Sequence, residues 1–214
     1  RFVERALGVV GERFIYLEQV HGTKVSRAGP DDVGNHSRRH AASFSATDGA
    51  YTTEQNVPLA VLTADCVPLA LAEPVAGMVA MLHAGWRGTI KNIAGEALKK
   101  ITAELGIDPR YVRAVMGPAI GPCCYEVDEG RAGLFVEKYG RKRGVVLDAG
   151  GYRLDLRSAN RANLIEAGLR AENIHEVGGC TCCESRFFSF RRDGVTGRQG
   201  AFVFLGRSAL TDLG

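Results

Sequence analysis

Three side chains in this sequence have the type and setting to hold a catalytic metal ion. They are His21 in Gln19-Val20-His21-Gly22, Cys66 at the head of one apolar run, and His83 at the tail of another. Two imidazoles and a thiolate leave one corner of a tetrahedron open, the arrangement of catalytic zinc, which makes water nucleophilic near neutral pH. Runs 66–72 and 77–83 are of strand length and are separated by Glu73-Pro74-Val75-Ala76, so they read as a hairpin. With the turn centred between Pro74 and Val75, Ala72 pairs with Gly77 and Cys66 falls directly opposite His83, their Cβ atoms about 4.5–5.5 Å apart. Pro68 marks an edge or a bulge in the first strand. The competing reading makes Cys66 a small core side chain and His83 a hydrogen-bonded strand histidine. His36 and His40 lie in a polar loop and His175 in an apolar strand, whereas the glycine beside His21 lets its imidazole project as a third ligand. Asp65, next to Cys66, is the candidate proton carrier.

These residues need elements to position them. His83-Ala84-Gly85-Trp86-Arg87-Gly88 falls between a strand end and a helical run whose apolar residues recur at Ile90, Ile93, Ala94, Ala97, Leu98, Ile101 and Leu105, stopping at Gly106. Such a turn presents free N–H groups to an anion. Arg87 adds a planar fork for phosphate and Trp86 a face for a base, with Gly85 and Gly88 completing the candidate substrate-binding turn. A structural strand-to-helix turn around a packed tryptophan accounts for the same residues. A second glycine-rich turn, Gly117-Pro118-Ala119-Ile120-Gly121-Pro122, is suited to a pocket wall and lacks the lysine of a phosphate loop, which argues against a nucleoside triphosphate. Further expected elements are a strand at 57–62 joined to the hairpin, a strand at 111–116, helices at 128–140 and 155–167, and strands at 174–177, 187–190 and 201–205. Strands and helices mix without strict alternation, which predicts an α+β or mixed α/β fold rather than a doubly wound sheet.

Composition bounds the answer. The chain has 214 residues, 45% hydrophobic and 24% charged, which suits one globular domain spanning 1–214. Asp65, Glu73 and Pro74 interrupt the most apolar stretch, so no run approaches the ~18 residues of a membrane span. A net charge of +3, with basic residues dispersed, lacks a nucleic-acid footprint. Six cysteines in a chain of this size read as reduced thiols of a cytoplasmic protein. Taken as a neighbouring pair, Cys123-Cys124, and a tight group, Cys180, Cys182 and Cys183, they do not advertise the spacing of a zinc ribbon, although a second metal site is one use for them. The chain opens on Arg1 with no signal-peptide pattern, so a short N-terminal segment is expected to be missing.

In its ordered motifs the chain resembles the laccase-domain purine nucleoside phosphorylases, also named multicopper polyphenol oxidases. The resemblance covers nearly the whole chain. It is carried by Gln19-Val20-His21-Gly22, Asp48-Gly49, Thr63-Ala64-Asp65-Cys66-Val67-Pro68, His83-Ala84-Gly85-Trp86-Arg87-Gly88, Gly117-Pro118-Ala119-Ile120-Gly121 with Cys124-Tyr125-Glu126-Val127, Cys180-Thr181, and Phe188-Ser189-Phe190-Arg191-Arg192-Asp193-Gly194. The family's metal residues fall on His21, Cys66 and His83. The resemblance implies mixed β-sheets packed face to face with helices outside, in α/β/β/α layers. It also implies zinc-dependent cleavage of adenosine, inosine, guanosine and methylthioadenosine by phosphate, with adenosine deamination. Two departures are the absent Phe-Ser-Thr-Arg-like opening segment and a longer polar loop carrying His36, Arg38, Arg39 and His40. Copper is a candidate occupant in vitro, but a multicopper oxidase centre fits poorly with five histidines and no His-x-His pair. The remaining alternatives are a cysteine hydrolase with Cys66 as nucleophile and His83 as its base, and a non-catalytic metal-binding module.

Overall fold

The computed structural model describes residues 14–34, 44–141, 144–148 and 150–206. The polar loop with His36, Arg38, Arg39 and His40 and the front of the chain lie outside the described residues. In chain order the strands are β1 (Ile15–Tyr16), β2 (Val25–Arg27), β3 (Gly49–Thr52), β4 (Leu59–Thr63), β5 (Val67–Glu73), β6 (Met78–Ala84), β7 (Arg113–Met116), β8 (Val146–Asp148), β9 (Tyr152–Leu154), β10 (Ile174–Glu176) and β11 (Gln199–Val203). The helices are α1 (Trp86–Ile90), α2 (Ile93–Leu105), α3 (Glu129–Tyr139), α4 (Leu156–Glu166) and α5 (Phe190–Asp193).

A six-stranded sheet runs β10-β7-β5-β6-β3-β2, and a three-stranded sheet runs β1-β4-β11. Both mix parallel and antiparallel pairs. β6 explains how the layers form. All seven of its residues are buried, as in a strand covered on both faces. Met78, Ala80, Leu82 and Ala84 join a core shared with α2 and α4, while Met81 points the other way, into a second core with Ile15, Leu59 and Val61 of the smaller sheet. The two sheets therefore pack face to face, with α2 and α4 on the outer face of the larger one. His83 has the parity of Met81 and so belongs to the space between the sheets.

The hairpin forms, but two residues out of the expected register. Glu73 pairs with Met78 and Pro68, not Cys66, stands opposite His83. The four-residue turn is Pro74-Val75-Ala76-Gly77 rather than the expected 73–76, because Glu73 stays in β5 and its carboxylate accepts the Val75 N–H at 3.2 Å and that of Ala76. A slip of two keeps every side chain on its face, because the strand period is two. Cys66 thus precedes β5, diagonal to His83 and on the same side. The strand expected at 57–62 is β4 and belongs to the smaller sheet rather than extending the hairpin.

The helical run from Ile90 to Leu105 is also broken. Asn92 adopts φ 70°, ends α1 and caps α2, its side chain accepting the Gly95 N–H at 3.2 Å. Asparagine tolerates this left-handed conformation better than most residues. The carbonyl of Thr89 exposed by the break accepts from Asn163 Nδ2 and Tyr139 Oη, each at 3.1 Å. Asn160 Nδ2 donates to the Thr89 hydroxyl at 3.0 Å. Polar side chains of α3 and α4 thereby fix the short helix that carries Trp86 and Arg87. Helices at 129–139 and 156–166 stand where expected, each opened by an aspartate cap. The segment expected as a strand at 187–190 instead leads into α5, because Ser189 caps a helical turn by accepting the Arg192 N–H.

Candidate metal centre and cavity

His21 comes from the connection between β1 and β2, Cys66 from the bend before β5, and His83 from β6. Their ligand atoms all lie within 4.8 Å of one another. Cys66 Sγ is 3.8 Å from His21 Nε2, close to the about 3.6 Å that one sulfur and one nitrogen span on a tetrahedral zinc. The two imidazole rings meet edge to face with centroids 4.8 Å apart. Donor types, spacing and a shared opening on a cavity all fit one divalent ion.

The residue that organises this cluster is Asp48, fully buried at the entry to β3. Its Oδ1 lies 2.8 Å from His83 Nδ1 and accepts the His21 N–H at 2.9 Å. Its Oδ2 accepts the Gly22 N–H at 2.6 Å and the Val20 N–H at 3.2 Å. One carboxylate therefore orients the His83 ring and folds the turn that projects His21, which is held at φ 61°. With the Nδ1 proton donated to Asp48, the Nε2 lone pair of His83 is left for a metal. Burial raises the Asp48 carboxyl, but the bond with His83 and the N–H bonds of Gly22 and His21 outweigh it and lower it. Asp48 appears in the motif Asp48-Gly49, yet nothing in its local sequence assigns it this role. The signal was a carboxylate opening a strand whose every residue is apolar or small.

Burial works against a Cys66 thiolate, but hydrogen bonds and charge from His21 and His83 override it and bring the thiol down to about 7. Burial likewise disfavours a charged His83, and its bonds to Asp48 and Cys66 override that, raising it to about 9. Without metal these shifts favour a thiolate at Cys66 and an imidazolium at His83, whose proton metal binding must displace. Gly85 makes the cluster possible, since a Cβ there would sit 2.7 Å from His21 Cδ2 and 2.9 Å from Cys66 Sγ.

The cluster opens into a cavity of about 560 Å³ that Asp65, Trp86 and Arg87 also line. Gly85 and Gly88 are not among its lining residues. Gly85 gives way to the metal cluster, and Gly88 packs buried against the Gly22 carbonyl. The helix after Gly85 has only five residues, and the long helix begins at Ile93, so no long helix stands behind this turn. Positive charge comes instead from arginines. Arg87, Arg131, Arg191 and Arg198 all line the cavity. The guanidiniums of Arg87 and Arg131 each lie 4.6 Å from the Trp86 ring centroid, so the indole is a platform for two cations. Arg131 Nε is buried with no hydrogen-bond partner. Leu62, Ile120, Tyr125, Leu156 and Phe190 supply apolar wall.

Asp65 sits at φ 89° beside Cys66. Its Oδ1 accepts the Thr181 hydroxyl at 2.6 Å and its Oδ2 the Arg191 N–H at 2.7 Å. It pins the segment carrying Arg191 to the metal cluster while keeping further acceptor capacity. Of the residues singled out in the sequence, His21, Cys66, His83, Asp65, Trp86 and Arg87 share one cavity, while Arg131, Arg191, Arg198 and Tyr125 join them from segments distant in the chain.

The chain is similar to known proteins over most of its length. The family model for multi-copper polyphenol oxidoreductase laccases matches residues 1–206. The purine nucleoside phosphorylase YlmD of Geobacillus stearothermophilus is 42% identical over 199 residues, 90% of this chain and 72% of that protein. Adenosine deaminase RL5, from an unknown prokaryotic organism, is 34% identical over 193 residues, 88% of this chain and 73% of its own length. The crystal structure of YlmD from Geobacillus stearothermophilus superposes with a TM-score of 0.91 at 38% identity, covering 97% of this chain and 78% of that one. Among the described residues no helix is long and apolar enough to cross a membrane.

Proposed function

The chain belongs to the multi-copper polyphenol oxidoreductase laccase family, and from that premise we propose that it is a zinc-dependent purine nucleoside phosphorylase that also deaminates adenosine. The observation that carries the reading is a His₂Cys cluster facing a cavity that also presents a pair of guanidiniums. The whole span acts as one catalytic unit in a cytoplasmic protein. His21 Nε2, Cys66 Sγ and His83 Nε2 would hold the ion, which supplies Lewis acidity at the purine or at the incoming nucleophile.

The chain's own groups do the rest. Arg87 and Arg131, stacked on Trp86, bind phosphate, the orphaned Nε of Arg131 gaining the acceptor it lacks. Leu62, Ile120, Tyr125 and Phe190 receive the flat base and exclude water. Asp65, anchored through Thr181 and Arg191, accepts and returns the proton that moves when the base leaves or its amino group is lost. Adenosine, inosine, guanosine and methylthioadenosine share the purine that this wall would receive. The cluster offers three ligands for one ion, a donor set for hydrolytic or phosphorolytic chemistry rather than for several coppers.

Purified protein given inosine and phosphate is expected to release hypoxanthine and ribose 1-phosphate, and adenosine without phosphate to release inosine and ammonia. Phosphate-independent release of free ribose, or turnover undiminished by a chelator that strips the metal, contradicts the reading. The lowered Cys66 thiol beside the raised His83 imidazole is what favours a cysteine hydrolase. For that enzyme chelation activates and thiol alkylation inactivates, the reverse of protection by zinc.

A further inference from the structure

A second cluster lies behind the cavity wall. Cys123 and Cys124 follow the turn at Gly121, and Cys180 and Cys183 lie in the loop after β10. Their four sulfurs all lie within 4.8 Å of one another. Cys183 Sγ is 3.5 Å from that of Cys123 and 3.3 Å from that of Cys124. Four thiolates on a tetrahedral zinc stand about 3.8 Å apart, given Zn–S of about 2.3 Å. Cys180 and Cys183 are separated by two residues, a ribbon-like gap that Cys182 hides in the sequence. Cys182 is not one of the four.

Surrounding features suit a bound metal rather than packing alone. The Gly121 N–H donates to Cys180 Sγ at 3.1 Å. Gly121 also leaves the room they need, since a Cβ there would lie 3.2 Å from Cys123 Sγ and 3.5 Å from Cys180 Sγ. Three guanidiniums bond the backbone of the two loops: Arg153 to the Cys123 carbonyl at 3.1 Å, Arg191 to that of Cys124 and Arg192 to that of Cys182, both at 3.3 Å. They offset the negative charge that a tetrathiolate centre would carry. Cys123 and Cys183 are exposed, so core packing does not account for the convergence. A disulfide would bring two of these sulfurs to about 2.05 Å, whereas Cys183 stands 3.3–3.5 Å from both neighbours.

We propose that Cys123, Cys124, Cys180 and Cys183 form a second metal site, a tetrathiolate centre that takes one zinc-class divalent ion and clamps the two loops that wall the cavity. Binding releases the thiol protons to solvent and forms four metal–sulfur bonds. Backbone pairing also joins the loops, through a parallel bridge between Ala119 and Cys180, with the Thr181 N–H donating to the Ala119 carbonyl at 3.1 Å. What they hold matters for the first site. Tyr125, next to Cys124, lines the cavity, and Thr181, next to Cys180, bonds Asp65. The centre is structural, since all four ligands come from the chain.

The test is metal content per chain after reduction, saturation with zinc sulfate and desalting. Wild type is expected to hold two ions, Cys123→Ser and Cys183→Ser one each, and His83→Ala one, so that loss at either site leaves the count at the other intact. Cobalt loaded in place of zinc is expected to give thiolate-to-cobalt charge-transfer absorption in wild type that mostly disappears in Cys183→Ser. Independently of any variant's folding, zinc must slow iodoacetamide labelling of these four thiols in wild type and spare Cys182 no more than before. One ion in wild type, two ions in either serine variant, labelling indifferent to zinc, or a disulfide among the four in the protein as purified overturns the proposal.

Discussion

Replacing Asp48 by asparagine leaves the shape of the side chain unchanged and removes the acceptor on which both imidazoles depend. Four donors converge on its two oxygens: His83 Nδ1 and the His21 N–H on one, the Gly22 and Val20 N–H groups on the other. An amide must place its NH₂ against one of these pairs. Set toward His83, it forces the imidazole to accept at Nδ1 and carry its proton on Nε2, where the metal would bind. Set toward Gly22, it leaves two N–H groups without acceptors and opens the turn that projects His21. Hydrogen bonds to a charged acceptor contribute about 1.5–3 kcal/mol each, so losing two costs about 3–6 kcal/mol before the loop relaxes. Metal affinity is expected to fall about 10- to 100-fold, as when other partners of ligating histidines are lost. The assay is competition for zinc against a chromophoric chelator, done in a Cys183→Ser background so that one site is read, with thermal melting alongside. Unchanged zinc affinity in Asp48→Asn would refute the claim that this carboxylate organises the cluster.

Other perturbations separate the parts of the site. Cys66→Ala is expected to abolish phosphorolysis and deamination together, read as product from inosine with phosphate and from adenosine without it. Gly85→Ala drives a Cβ into the His21 ring and the Cys66 sulfur and should reduce metal content at the first site while the tetrathiolate count stays, measured by metal analysis. Arg131→Ala removes one charged donor, so the KM for phosphate should rise about 10- to 100-fold, with a smaller loss in deamination, judged by initial rates at varied phosphate. Asn92→Ala loses a helix cap worth about 1 kcal/mol and gains left-handed strain of about 1–2 kcal/mol, whereas Asn92→Gly costs a few tenths. The alanine variant must therefore melt clearly below the glycine variant.

Much of this was legible from the chain, and what was not has physical causes. Helix ends at Asp128, Gly140, Asp155 and Gly106 were readable because caps are local. The face shared by Cys66 and His83 survived an error in register because a slip of two residues preserves parity, while the true pairing depended on Glu73 folding back onto its own turn. The break at Asn92 was hidden because apolar spacing runs through it, and the groups that stabilise it, Tyr139, Asn160 and Asn163, are dozens of residues away. The same holds for β4, whose run of apolar residues says nothing about which sheet it joins. Asp48 and Arg131 were missed for one reason: a carboxylate that holds two histidines and an arginine that stacks on a distant tryptophan act only across the fold.

The central claim is that one ion is held by two imidazoles and one thiolate with a corner left open to the cavity. Zinc-edge X-ray absorption on the Cys183→Ser protein loaded with one equivalent of zinc measures this directly. The account predicts one sulfur at about 2.3 Å, two imidazole nitrogens at about 2.0–2.1 Å and one further light atom. A shell with no sulfur, with more than one, or with a single imidazole contradicts it.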